Sequence, residues 1–184
     1  MLAFLYGLPV RKVWVKDDHG AAEICDPDVE QTPTECYLAA GTTWGGFWGE
    51  VLIKEAPAPH LDVEAYRGAS YDLYVGVKAL TELSAGFEEK HRVSVVHTEW
   101  YRLCNEARGF LTSPIIGPVF RQLGEYLTTH DEIDGELLGR MFSAPMVAHA
   151  VVLMRAEMVK SAISYVNFVK PPTPPATDEP ELTP

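Results

Sequence analysis

The spacing of apolar residues changes partway along the chain, and that change constrains the fold more than any single motif. In SYDLYVGVKALTEL, residues 70–83, Leu73, Val77, Leu80 and Leu83 fall at helical spacing, and Ser70 can cap the start. Before it, the pattern is that of strands. Val13 and Val15 alternate with Lys12, Trp14 and Lys16, so Met1–Val15 reads as a strand or two short ones. Asp17-Asp18-His19-Gly20 is a turn signal, and a loop rich in Asp, Pro and Thr runs through Pro33. Glu35–Ala40, Phe47–Lys54 and Leu61–Arg67 then read as three strands of an antiparallel meander, with a break at Pro57–Pro59.

After Gly86 the chain alternates. Arg92–His97 is rich in valine and suits a buried central strand. Thr98 can cap a helix from Glu99 to about Ala107 that stops at Gly109. Val119–Thr128 reads as a helix with Phe120, Leu123 and Leu127 on one face, and Ile133–Leu138 as a last strand. Pro145 opens the longest helix, near Met146–Val166, at a position where its missing N–H costs nothing. From Lys170 the chain is a proline-rich acidic tail that cannot bury a core. The expected order is β-β-β-α-β-α-α-β-α, a mixed α/β fold with helices packed on the sheet. It divides into an extension (residues 1–33), a main domain (34–169) and a tail (170–184).

Charge narrows the function. A formal net charge of −11 opposes tight binding to nucleic acid, which favours a basic footprint. Cys25, Cys36 and Cys104 are scattered and form no CxxC pair, so a structural zinc site is not expected and free thiols fit a reducing compartment. The start lacks a signal-peptide pattern and no run approaches a membrane span, so the expected location is the cytoplasm, or a virion assembled in one.

Partial motifs in order along Thr34–Tyr165 resemble the ribonuclease H family. YLAAGT followed by GGFWGEVLIK resembles its first two strands, YDLYVGVKAL its first helix, HTEWYRL the end of its fourth strand, and ARGFLTSPIIGPVFRQLGEYL a later loop and helix. The resemblance implies a site of four carboxylates holding two divalent ions, Mg or Mn. Here those positions carry Ala40, Asp72, Glu99 and Val151. Two carboxylates do not replace four, so the resemblance implies a degenerate, non-catalytic module that binds or assembles through protein contacts, as an oligomer or with a protein partner. Asp72 and Glu99 are the remnant catalytic and metal candidates. The alternatives are a divergent metal-dependent nuclease using Asp72, Glu99 and a third acid such as Glu50 or Glu157, and a viral or phage structural subunit.

Other groups have plainer readings. Asp72 and Glu99 suit the first turns of helices, where negative charge is favourable. His97 and Cys104, seven positions apart, read as a core histidine and thiol before they read as base and nucleophile. Asp131, Asp134 and Glu136 lack the ligand spacing of a calcium loop and read as a solvated acidic turn. Trp44, Phe47 and Trp48 could cover a sheet end or form a contact surface. The last helix is apolar around much of its circumference, so Met154 and Met158 join them as candidate partner-binding residues.

Overall fold

A threonine-proline pair starts the first long helix. Thr32 Oγ1 accepts from the Glu35 N–H at 3.2 Å, and the Glu35 carboxylate accepts from the Thr32 N–H at 2.8 Å, with Pro33 in the first turn. This reciprocal cap satisfies two N–H groups that a helix start otherwise leaves bare. It also overturns the strand expected at Glu35–Ala40, because TPTE is a helix-start signal that outweighs the short apolar run behind it.

The structure is a computed structural model that describes residues 1–16, 19–24, 30–53 and 63–170. Its elements run α1 (Leu2–Leu5), β1 (Val10–Lys16), β2 (His19–Ile24), α2 (Pro33–Thr42), α3 (Trp44–Ile53), α4 (Val63–Gly68), α5 (Ser70–Leu83), α6 (Glu89–Thr112), α7 (Gly117–Leu127), β3 (Glu132–Asp134), α8 (Gly135–Met141) and α9 (Pro145–Val169). The fold is mixed α/β but mostly helical, and the described residues form a small antiparallel sheet in the order β2-β1-β3. Cys25, the Asp17-Asp18 turn, the Pro57–Pro59 break and the tail beyond Lys170 lie outside the described residues.

Three further segments expected as strands are helical. Phe47–Lys54 belongs to α3 as far as Ile53, where Trp44, Phe47, Trp48 and Val51 are buried at i, i+3, i+4 and i+7. Leu61–Arg67 belongs, from Val63, to α4, whose Ala65 is buried. Arg92–His97 lies inside the 24-residue α6, and the helix passes Gly109 without stopping. Val96, Leu103, Ala107 and Leu111 form its buried stripe, so packing along 3.6-residue spacing prevails over the strand preference of a short valine run. Ile133–Leu138 divides. Ile133 sits in β3, and Asp134 then caps α8 by accepting from the Leu137 N–H at 2.7 Å. The helices expected around Ser70–Leu83, Val119–Thr128 and Met146–Val166 correspond to α5, α7 and α9, although Ser70 makes no capping bond.

The sheet is not the expected meander. β1 pairs with β2 (Val13 opposite Ala22) and with β3 (Val13 opposite Ile133), so the first residues join a segment more than a hundred positions on. The chain start also enters the core through Leu2, Leu5 and Tyr6. Arg155 of α9 holds it there, donating Nε and Nη2 to the Phe4 carbonyl at 3.2 and 2.6 Å. α9 buries Val151, Met158, Ala162, Tyr165 and Val169, one helical face. Gly41 marks a close approach: a Cβ there would stand 2.8 Å from the Tyr6 ring.

Candidate functional site

Glu99, Arg102 and Glu106 follow one another at i, i+3 and i+7, so α6 presents all three on one face. Arg102 donates Nε and Nη2 to Glu99 Oε1 at 2.9 and 2.7 Å, and Nη1 to Glu106. The Tyr37 hydroxyl of α2 donates to the same Glu99 oxygen. Ser161 of α9 accepts from Arg102 Nη1 at 3.4 Å, and the Tyr37 ring packs 5.1 Å from that of Tyr165. α2, α6 and α9 thus meet around two carboxylates and one guanidinium.

The electrostatics follow from that count. Burial, and then the neighbouring Glu106, push the Glu99 carboxyl up to about 7. Burial also raises Glu106, against Arg102, with Glu157 adding to the rise. The Tyr6 phenol is held above its ordinary range by burial and by Glu106. Its hydroxyl and Glu106 Oε2 are both buried without a hydrogen-bond partner among the described residues. Arg102 bonds both acids but carries a single positive charge, so with both carboxyls ionised the cluster keeps an uncompensated negative charge, in line with the upward direction at each acid.

It does not fit a two-ion centre. Glu99 Oε1 already accepts three hydrogen bonds, two of them from a fixed cation that repels a metal ion. Asp72 sits elsewhere, in the first turn of α5 and facing α3, with Oδ2 3.4 Å from where a Gly46 Cβ would stand; burial raises its carboxyl. No group of three or more His, Cys, Asp or Glu that could hold a metal occurs among the described residues. Ala40 and Val151 are buried core residues of α2 and α9.

The remaining candidates separate in the same way. Trp44, Phe47, Trp48 and Met158 are buried in the core, and Met154 is half-buried against it, so a contact surface has to be built from other side chains. Trp44 packs against Trp100 and Phe47 against Tyr66, each pair with its ring planes tilted. His97 is exposed, 4.7 Å from the Tyr101 ring. Burial raises the Cys104 thiol, the opposite of an activated nucleophile. Asp131 contributes its carbonyl to the Val15 N–H, extending the sheet, and Glu136 lies in the first turn of α8.

Sequence reasoning missed Tyr6, Tyr37, Arg102 and Glu106. The E-x-x-R-x-x-x-E spacing of α6 was the available signal, hidden by splitting that helix at His97. Among the described residues no single helix is long and apolar enough to cross a membrane. No protein-family model, curated protein or solved structure matches this chain.

Proposed function

We propose that this chain is a non-catalytic module that works through protein–protein contacts, and that its partner is a second copy of itself. The observation that carries this reading is the outer face of α9. His149, Val152, Ala156, Val159, Ile163 and Val166 alternate spacings of three and four, the seam of a helix meant to lie along another helix. The seam is open: Val152 is 60% exposed and Ile163 48%, with Leu153 beside them at 54%. Apolar surface in water costs roughly 25 cal/mol per Å2 that a partner could cover.

The spacing also suits self-pairing. Set antiparallel about a two-fold axis between Ala156 and Val159, the seam places Val152 opposite Ile163, Ala156 opposite Val159 and His149 opposite Val166. One surface supplies both halves, as an isologous contact requires. The reading of a viral or phage structural subunit draws on the same face. A ribonuclease H-like topology rests on the sequence resemblance alone, and the contact reading does not depend on it.

Sedimentation across a concentration series tests the proposal. The full chain is expected to dimerise, and Val152→Glu with Ile163→Glu to yield folded monomer. A wild type that stays strictly monomeric at high concentration, or a double variant that still dimerises, overturns it.

A further inference from the structure

A cavity of about 470 Å3 opens where the last turn of α6 meets α7, away from both the polar cluster and the α9 seam. That volume lies within the range of small-molecule sites, roughly 300–1,000 Å3. Leu52 of α3, Leu111 of α6, Pro114 and Phe120 give it apolar walls. Gly117 and Gly124 of α7, seven positions apart, also line it.

The two glycines have different reasons for being small. A Cβ on Gly117 would stand 3.1 Å from the Leu111 carbonyl oxygen, so packing accounts for it. A Cβ on Gly124 would meet nothing within 4 Å. Glycine inside a helix costs about 1 kcal/mol relative to alanine, and no neighbour here requires it. What the missing side chain preserves is the space. At the rim stand Arg121 and, one turn on, Glu125, both exposed. Among the described residues Arg121 makes no ion pair with Glu125 or with any other carboxylate, in a chain with an excess of acids.

We propose that this cavity binds a small molecule with an apolar body and a single carboxylate head, the body in the cleft and the head on Arg121. A guanidinium offers a planar pair of donors that matches a carboxylate, and it stays charged at every accessible pH. Leu52, Leu111, Pro114 and Phe120 favour a largely apolar body, with Thr112, Ser113 and Thr128 also in the lining. Glu125 sets the charge limit, because its carboxylate repels a doubly charged head such as a phosphate monoester more than a singly charged one. A medium-chain fatty acid has the required shape and charge.

Titration calorimetry of the full chain with decanoate tests this, with decylammonium and decanol as controls. Decanoate is expected to bind saturably at one site, and Arg121→Ala to weaken it by about tenfold or more, the worth of a charged hydrogen-bond pair. Gly124→Leu fills the cavity, so it is expected to abolish binding while its melting temperature is kept or raised, which shows that the fold survives. Absence of saturable decanoate binding, binding unaffected by Gly124→Leu, or tighter binding of decylammonium would each overturn the proposal.

Discussion

Ser84 and Tyr165, 81 positions apart in the chain, hold their hydroxyl oxygens 2.7 Å from each other in the core. Ser84 has one hydroxyl hydrogen and donates it to the Leu80 carbonyl at 2.8 Å. Tyr165 is therefore the donor between them, and the bond ties the end of α5 to α9. Tyr165→Phe leaves an acceptor unmet, whereas Ser84→Ala leaves a buried phenol without its acceptor, the more costly loss. Each is expected to lower stability by about 1–3 kcal/mol. The double variant should cost less than the sum, because removing both partners leaves nothing unpaired. Urea unfolding of the four proteins measures this, and strict additivity would reject the pairing.

The polar cluster predicts a pH dependence. Folded, Glu99 keeps its proton up to about 7; unfolded, it releases it near the ordinary 4.5. Between those values the folded chain binds more protons, so the contribution of Glu99 falls as pH rises from about 4.5 to 7 and levels off above. The difference is on the order of 1–3 kcal/mol, reduced by partial solvent access and by Arg102. The capping acid Glu35, whose carboxyl is held low by its bonds to Thr32, works in the opposite sense. The informative quantity is therefore wild type minus Glu99→Gln, followed by denaturation from pH 5 to 8. A difference that does not change with pH would contradict the assignment.

Two helical glycines should respond oppositely to alanine. At Gly76 a Cβ would collide with Thr43 Oγ1 and stand 2.7 Å from the Trp100 ring, where α5 crosses its neighbours. Gly76→Ala is expected to lose about 1–3 kcal/mol through overpacking. At Gly109 of α6 a Cβ meets nothing within 4 Å, so Gly109→Ala should gain about 0.5–1 kcal/mol from helix propensity. Melting temperatures decide both.

The nuclease alternative makes its own demand. An RNA–DNA hybrid incubated with the protein and Mg or Mn is expected to remain intact, since Glu99 is committed to Tyr37 and Arg102. Turnover that disappears in Asp72→Ala or Glu99→Ala would establish catalysis and displace the contact reading.

The misread segments share a physical cause. Glu35–Ala40, Phe47–Lys54 and Arg92–His97 are short apolar runs, and over six to eight residues a strand and a buried helix present much the same pattern. Local signals could have separated two of them. The TPTE cap precedes α2, and Trp44, Phe47, Trp48 and Val51 keep helical spacing through the glycines of α3. The polar cluster was half legible: Glu99 stood out as an acid, but nothing local pointed to Tyr37 as its donor or to Tyr6 as a neighbour of Glu106.

Residue spacing sufficed for α5, α7 and α9, because their apolar pattern extends over enough turns to exclude a strand, with Pro145 opening α9 where a helix tolerates it. Tertiary packing alone settled that β1 pairs with β3, that Arg155 secures Phe4, and that Glu99 accepts from Tyr37. Those contacts join positions tens to more than a hundred residues apart. Their energy is gained only when the helices pack, and residue order along the chain does not specify which faces will meet.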